Sequence, residues 1–400
     1  MIKFKPRTRY LIVIMLLLLV IAGMWFYQTL YSSTGEALRR AENFLFTRRT
    51  VSQLSDQGGS RYFFITNRNQ SNNDDDELEN RLGNERGAEL KFGIFDASIE
   101  PSVGLGMLIN PSEWFQTEEI VVSNTKTLQQ EVFVEKLREL VQASPHRSLL
   151  IVVHGFRERF PSALRKTVFV GHILDINTPV MVFDWPGDQG SSLSGYRSAH
   201  RVATESGAEL AKTIELIVND VKPDKLWLIA NSMGGQVVAG AFSHLYQNPE
   251  FADADIEIED VILTAPDVSH EEFDNQFKKE ITSLARNLTV YVSSNDRALV
   301  MSRLVNLGDS RRGESTLSTD MLAEAASIAE LIDPDSELVT LVDVTPVNRT
   351  RNFHNFSLET PEFFDDLYLR LTNEQTPSSR GLYPLQTQQG ESYWVLTPGR

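Results

Sequence analysis

The stretch that decides the fold runs from Leu226 to Phe242 and reads LWLIANSMGGQVVAGAF. Its first residues form an apolar run of strand length, and its last residues begin an apolar helix with no loop between them. Ser232 stands in the turn, with Ala230 two residues before it and Gly234 two residues after it. A tight strand-to-helix turn needs small residues at those two positions. The stretch therefore predicts a strand that turns sharply into a helix, with the Ser232 hydroxyl raised at the turn.

The same alternation of strands and helices continues on both sides of this turn. The strand runs are apolar throughout rather than alternating, as expected when helices cover both faces of a sheet. The pattern predicts an α/β fold with a mostly parallel, doubly wound sheet of about eight strands. The six main strands are predicted at 148–155, 179–186, 225–232, 260–268, 288–296 and 337–344, and the helices at 161–175, 198–220, 233–246, 271–285 and 298–305. The segment 269–287 has room for one helix, which predicts little or no cap domain.

The first part of the domain, predicted over 61–372, begins with two further strands, RYFFIT at 61–66 and the segment 91–99. Between them, residues 67–87 are polar and have almost no apolar periodicity, so we expect an exposed loop whose three successive aspartates are solvated. The segment 373–400 is rich in Pro, Ser and Gln and is predicted to be a C-terminal tail. It contains one possible strand, at Tyr393–Leu396.

The N-terminus predicts a membrane anchor over residues 1–33, followed by a stalk over 34–60. Four basic residues precede an uninterrupted apolar run at 11–27, and further apolar residues extend it to 31. At about 1.5 Å per residue, such a helix crosses most of a hydrocarbon core roughly 30 Å thick. Because basic flanks stay cytoplasmic, the domain is expected on the periplasmic or extracellular side of the inner or plasma membrane. A cleaved signal peptide is the alternative.

Composition narrows the classes of function. The chain has 38 basic and 54 acidic residues and a formal net charge of −16, which argues against a nucleic-acid partner. It has no cysteine, which excludes thiolate catalysis, disulfides and cysteine-based metal sites. We expect no metal and no organic cofactor.

The strand before the first helical stretch ends in His154–Gly155–Phe156. In folds with such a serine turn, an amide from the loop after this strand joins the amide after the serine to bind an oxyanion. We therefore expect the backbone N–H groups of Phe156 and Met233 to be the donors, with Gly155 allowing a close approach. His154 is expected to position this loop; the alternative is a histidine that ends the strand without any such role.

Serine needs a neighbouring base that is itself oriented by a carboxylate. In folds of this kind the chain order is nucleophile, acid, base. Of the seven histidines only His244, His270 and His354 follow Ser232. His244 lies well inside the following helix and His270 comes too early, so the predicted base is His354.

Two carboxylates compete for the role of the acid. Asp296 follows the strand at 288–296 and lies at the carboxyl edge of the sheet, two strands after the serine. Asp267, one strand earlier, is the alternative. Asp343 lies within its strand rather than at its end, so Asp296 is preferred over Asp267.

Five motifs occur in a fixed order: VVHGF, FDWPG, ANSMGG, LTAPDV and YVSSNDRAL. Together they resemble a bacterial α/β-hydrolase family of unassigned physiological function within the serine hydrolases. The stretches ITNR, GNERG and KFGIFDASI are also similar to that family, so the resemblance covers roughly residues 60 to 370. It implies an α/β-hydrolase fold and a triad of Ser232, Asp296 and His354. Asn231 departs from the family pattern, which usually has histidine there, and His354 is followed by Asn rather than Ser.

These features together predict a membrane-anchored serine esterase or lipase-like enzyme that acts on a carboxylic ester or related acyl compound through an acyl-enzyme. Transfer of the acyl group to an acceptor other than water, and peptide hydrolysis, are the alternatives within catalysis. A catalytically inactive binding or scaffold protein of the cell envelope is the alternative of a different class. Dehalogenation on this fold needs a carboxylate nucleophile and is therefore excluded.

Overall fold

The computed structural model describes residues 60–71, 78–99, 120–252, 258–268, 277–293, 339–348, 356–373, 376–386 and 392–398, together with Met15. Within these ranges the chain builds one 11-stranded sheet with helices on both faces. The strands are β1 Ser60–Gln70, β2 Leu82–Ile99, β3 Ile120–Leu128, β4 Ser148–Val153, β5 Val180–Asp184, β6 Lys225–Asn231, β7 Ile258–Thr264, β8 Ala285–Val292, β9 Val339–Asp343, β10 Tyr383–Gln386 and β11 Ser392–Val395.

The strand order is β10-β11-β9-β8-β7-β6-β4-β5-β1-β2-β3. Every neighbouring pair from β11 to β1 is parallel, which confirms the predicted mostly parallel sheet. The predicted number of about eight strands is wrong for the whole sheet, because β3 extends it at one end and β10 and β11 extend it at the other. β2 and β3 add to one end through antiparallel pairs, and β10 pairs antiparallel with β11 at the other. The edge strand β3 is partly exposed, and the edge strand β10 has only four residues. Neither therefore has a continuous apolar run.

Helices cover both faces because successive strand residues point to opposite sides. In β4, Leu149 and Ile151 belong to one apolar cluster, and Leu150 and Val152 belong to the other. The first cluster also holds buried residues of α2, α4, α5 and α7, and the second those of α3, α8 and α9. The helices are α1 Leu78–Arg81, α2 Gln130–Ala143, α3 Phe160–Leu174, α4 Leu193–Leu216, α5 Gly234–Gln247, α6 Pro249–Ala252, α7 Lys278–Leu284, α8 Phe356–Glu359 and α9 Pro361–Asn373. A π-helical turn, Ile217–Val221, continues α4.

The site lies at the carboxyl edge of the central strands. Ala230 of β6 is in register with Val153 of β4 on one side and with Leu263 of β7 on the other. Ser232 therefore emerges from the middle of the parallel sheet, where open α/β sheets place their ligand sites.

The predicted exposed loop at 67–87 is wrong for most of the residues described. β1 continues to Gln70, and β2 already begins at Leu82. Asn67 and Arg68 are fully buried. They escape a search for apolar periodicity because their burial depends on polar partners, and buried polar groups are stable only when they are paired.

The predicted boundary of the domain at 372 is also wrong, because the chain after it joins the sheet. β11 pairs in parallel with β9, and β10 pairs with β11. Arg380 is buried and lies 3.2 Å from Asp366 of α9, so this segment is tied to the domain by an ion pair. The possible strand at Tyr393–Leu396 is confirmed as Ser392–Val395.

Several predictions fall on residues outside the described ranges. They are the anchor over 1–33 apart from Met15, the stalk over 34–60 apart from Ser60, which begins β1, the aspartate run and the helix at 298–305. The predicted lack of a cap domain also stays a prediction, since residues 269–276 and 294–338 lie outside. Among the residues described, no helix is long and apolar enough to cross a membrane.

The packing of α4 on α5 gives a direct test of the fold. A Cβ atom added to Gly207 would lie 2.6 Å from the carbonyl carbon of Gly240 and 2.8 Å from the nitrogen of Ala241. We expect Gly207→Val to lower the free energy of unfolding by about 3 kcal/mol. The added side chain would meet backbone atoms of α5, and these cannot move aside as a flexible side chain could. Denaturant unfolding of the purified protein measures this loss.

The control for this variant is Ala208→Val, at the next, half-buried position of the same helix. It should cost only about 0.5 kcal/mol, the difference in helix propensity. Equal losses in the two variants would contradict the close packing of α4 on α5.

Candidate active site

Ser232 sits on a strained turn between β6 and α5. Its φ is 53°, in the left-handed region that a residue with a side chain adopts only at a cost. Hydrogen bonds hold the turn: the Ser232 N–H donates to the Thr264 carbonyl oxygen at 2.9 Å, and the Ser232 carbonyl oxygen accepts from Asp267 and Gly235 at 3.1 and 2.9 Å. The strain therefore persists because the neighbouring strand and the first turn of α5 both fix this residue.

The small residues predicted around Ser232 are required by neighbouring backbone. A Cβ atom at Gly234 would lie 2.6 Å from the His154 carbonyl oxygen and 2.7 Å from that of Val153. Ala230 is fully buried in the cluster beneath α5. The first turn of α5 can therefore come close to the end of β4, which places Ser232 beside the loop that follows β4.

That loop carries Phe156, one of the two predicted oxyanion donors, and the other, Met233, stands at the start of α5. A Cβ atom at Gly155 would lie 3.1 Å from the Ser232 Cβ, so the two backbones nearly touch. Phe156 is partly buried, and its ring packs edge-on against Tyr196 with centroids 5.6 Å apart. Met233 is buried and caps the N-terminus of α5, where the first N–H groups of a helix have no partner within the helix. The N-terminus of α5 also favours negative charge beside Ser232.

His154 is buried under this loop, and both its ring nitrogens face partners other than Ser232. Nδ1 lies 2.9 Å from the Gly155 carbonyl oxygen, and Nε2 lies 3.1 Å from Asp184 Oδ1. The ring stacks on Trp185 with centroids 5.5 Å apart, and the Trp185 indole donates to the His154 carbonyl oxygen at 2.8 Å. These contacts suit a residue that positions the loop.

A buried ion pair that sequence reasoning missed lies behind His154. Asp184 ends β5 and accepts two hydrogen bonds from Arg68, from Nε at 2.7 Å and Nη2 at 3.0 Å. Arg68 also donates to the carbonyl oxygens of Glu158 and Trp185, both at 2.8 Å. Both side chains are at most 1% exposed. The pair ties β1 and β5 to the loop that faces Ser232. Arg68 belongs to the motif ITNR and Asp184 to the motif FDWPG. Nothing in either motif indicated that these two residues, 116 positions apart, form an ion pair.

The charge on Asp184 is stabilised by these contacts. Burial alone would raise its pKa, but the Arg68 guanidinium and the His154 ring outweigh burial and lower the pKa to about 2. Asp184 is therefore ionised at neutral pH, as its two bonds from Arg68 require.

The alternative acid, Asp267, lies on the other side of Ser232. Its backbone N–H donates to the Ser232 carbonyl oxygen, and its carboxylate accepts from the Tyr196 hydroxyl at 2.7 Å. This hydrogen bond joins the loop after β7 to α4. The Tyr196 ring is the same ring that packs on Phe156. Asp267 is thus close to the turn and already holds a hydroxyl partner.

Asn231 connects the serine turn to α8. Its amide donates to the Thr264 hydroxyl at 3.1 Å and to the Ser357 hydroxyl at 2.9 Å. Asn231, which stands where the family usually has histidine, therefore connects β6 to β7 and α8. The predicted acid Asp296 and base His354 lie outside the described residues, three positions after Ser293 and three positions before Ser357.

In the described ranges no group of three or more His, Cys, Asp or Glu side chains is arranged to hold a metal ion. The predicted absence of cofactors stays a prediction.

The parallel sheet with Ser232 on a sharp turn at its carboxyl edge defines the α/β-hydrolase class. The chain belongs to the family described as "Alpha/beta hydrolase of unknown function (DUF900)", whose model matches residues 129–367. Among curated proteins, none matches the chain. One similar solved structure is a crystal structure of a candidate hydrolase from Agrobacterium vitis S4, with 10% sequence identity, a TM-score of 0.25 and coverage of 62% of this chain and 96% of that chain.

Because the ion pair between Arg68 and Asp184 is buried, removing the charge of one partner should destabilise the protein strongly. We expect Asp184→Asn to lower the free energy of unfolding by about 3–5 kcal/mol at pH 7, because it leaves Arg68 buried without its counter-charge. The matched control is Asp188→Asn, which removes the partner of the mostly exposed Arg159. That loss should be about 1 kcal/mol or less, as for surface pairs.

The same variant should show a distinct pH dependence. Since the pKa of Asp184 is lowered from 3.8 to about 2 by folding, its ionised form contributes stability above about pH 4, and this contribution is lost as pH falls through about 2. The difference in unfolding free energy between wild type and Asp184→Asn should therefore shrink over that window. A difference that stays constant from pH 5 to pH 2 would contradict the ionised pair.

Proposed function

We propose that the protein hydrolyses carboxylic esters or related acyl compounds, with Ser232 as the nucleophile. The observation that carries this proposal is the φ of 53° at Ser232, at the carboxyl edge of the central strand and at the start of α5. Strained residues of this kind concentrate at functional sites, where they present a reacting side chain. A serine that only capped the helix would need no such conformation.

The chemistry follows from the groups around the turn. The Ser232 oxygen bonds to the acyl carbon while His354 takes its proton, and the carbonyl oxygen becomes an oxyanion. The N–H groups of Phe156 and Met233 donate to that oxyanion. The C–O bond to the alcohol then breaks, and His354 protonates the leaving oxygen. Water next attacks the acyl-enzyme by the same path and releases the acid.

The assignment of base and acid is supported by what surrounds their positions in the chain. Ser357, three positions after His354 in the chain, accepts a hydrogen bond from Asn231, the residue directly before Ser232, and this contact supports the choice of His354 as the base. On the acid side, Ser293 directly follows β8 and accepts a hydrogen bond of 2.8 Å from Asn348. That bond places the carboxyl end of β8, three residues before Asp296, next to the segment after β9.

The proposal includes the location. Residues 11–31 would anchor the chain as a single helix in the inner or plasma membrane, and the hydrolase domain would face the periplasm or the extracellular side. An ester or lipid substrate at that surface is the partner class we propose.

A fluorophosphonate probe tests the nucleophile. We expect the full-length protein to be labelled at Ser232, because the strained turn presents the serine at the carboxyl edge of the sheet, and Ser232→Ala to abolish labelling. Intact mass and peptide mapping report the modified residue. The control is Ser192→Ala, which removes an exposed serine that caps α4 and should leave labelling unchanged.

Absence of labelling at Ser232 in the folded protein would overturn the catalytic proposal. That outcome would favour a binding or scaffold protein on the same fold.

The rate of labelling also separates the two candidate acids. We expect His354→Ala to slow labelling by about 10²–10⁴-fold, the range of general-base catalysis. Asp296→Asn should slow it by about 10²-fold or more, because the histidine loses its orientation and charge partner. Asp267→Asn should leave the rate close to wild type, since this carboxylate holds the Tyr196 hydroxyl. A large loss with Asp267→Asn and none with Asp296→Asn would assign the acid to Asp267 instead.

A further inference from the structure

An apolar cavity lies on the face of the sheet covered by α3 and α9, and Asn231, the residue before Ser232, lines it. Val152 of β4 and Ile229 of β6 form its floor, and Val170, Phe363 and Leu367 form its helical walls. Its volume for water-sized atoms is about 40 Å³. Because one water molecule needs about 10–15 Å³ on this measure, the cavity holds a group of about three heavy atoms.

Two residues connect this cavity to the proposed nucleophile. Gly155 and Asn231 both line it. Asn231 directly precedes Ser232, and a Cβ atom at Gly155 would lie 3.1 Å from the Ser232 Cβ. The cavity therefore begins at the backbone that surrounds the serine, on the side of the predicted oxyanion loop.

The polar side chains that line the cavity already have polar partners, so the interior of the cavity is apolar. Lys166 forms an ion pair with Glu158. The Asn231 amide is bonded to Thr264 and Ser357. The ring nitrogens of His154 face Gly155 and Asp184. A charged or strongly polar group entering the cavity would have to break one of these contacts, whereas a short alkyl group would not.

We infer that this cavity binds the acyl chain of the substrate and limits it to about two to four carbon atoms. This inference rests on the proposed function, because it takes Ser232 as the atom that bears the acyl group. In this arrangement the carbonyl oxygen of the acyl group would point at the oxyanion donors, and its chain would run past Gly155 and Asn231 into the cavity. A longer chain would meet the rings of α9.

Alkylphosphonofluoridates test the inference without requiring turnover. In this reaction the Ser232 oxygen bonds to phosphorus, the P–F bond breaks, fluoride leaves to solvent and the hydroxyl proton goes to the base. The ethoxy group is kept constant, and the alkyl group on phosphorus is methyl, propyl, hexyl or decyl. For the full-length protein we expect the second-order labelling rate to be highest for methyl or propyl and to fall by about tenfold or more at hexyl, as expected for extra methylenes in a closed pocket.

Val170→Ala is the enlarging variant, and Val168→Ala is its matched control. The two valines lie in the same helix and the same buried cluster, but only Val170 lines the cavity. We expect Val170→Ala to move the preferred chain to a longer length and to raise the hexyl rate by about tenfold. Val168→Ala should lower stability without moving the preferred length. Thermal unfolding of both variants confirms that each is folded at the assay temperature.

Several outcomes would overturn the inference while leaving the nucleophile intact. These are labelling at Ser232 with no dependence on alkyl length, a preference for decyl, or the same profile for both valine variants. In a second series that keeps methyl on phosphorus and lengthens the alkoxy group, a fall in rate with alkoxy length alone would assign the cavity to the alcohol part of the substrate. Failure of every reagent to label Ser232 would overturn the proposed function itself, and the two failures are thereby distinguished.

Discussion

The ion pair between Arg68 and Asp184 is the contact on which the rest of the site depends. Removing two charges from water is costly, and their attraction compensates only when the remaining donors and acceptors are also satisfied. Here Arg68 donates to the backbone carbonyl oxygens of Gly83, Glu158 and Trp185 as well as to Asp184, and Asp184 also accepts from Thr66. These bonds fix β1, β5 and the start of the loop after β4 at one point. The pair therefore sets the geometry of the loop that faces Ser232.

The loop after β4 helps to hold the strained turn at Ser232, together with the end of β7 and the first turn of α5. Gly234 lies so close to the His154 and Val153 carbonyl oxygens that the start of α5 is positioned by the end of β4. His154 in turn is held by Asp184, and its carbonyl oxygen accepts from the Trp185 indole. A single chain of contacts thus runs from a buried guanidinium to a serine with a positive φ. Loosening any member would allow Ser232 to relax toward an ordinary helix start and would move the amides of Phe156 and Met233 apart.

The features that could be predicted from sequence are those with a local signal. Continuous apolar runs predicted β4 to β9, and the small residues around Ser232 predicted its sharp turn. β1 beyond Thr66 was missed because Asn67 and Arg68 are polar and are buried by partners distant in sequence. The start of β2, β3 and β10 were missed because they are polar or partly exposed and have no continuous apolar run of strand length. Arg68 gives the clearest case, since no periodicity marks an arginine whose carboxylate lies 116 positions away. Asp296 and His354 rest on chain order and family resemblance, and they lie outside the residues described.

Asn231 links the proposed catalytic serine to the proposed acyl-binding cavity. Its amide holds Thr264 and Ser357, so it joins the ends of β6 and β7 to α8, the helix just after His354 in the chain. The same residue lines the apolar cavity. A chain that fits the cavity leaves these contacts in place, whereas one that presses on Asn231 would also disturb the position of Ser232. Acyl length should therefore act on the rate of acylation rather than on binding alone, because an ill-fitting chain displaces the reacting atoms themselves.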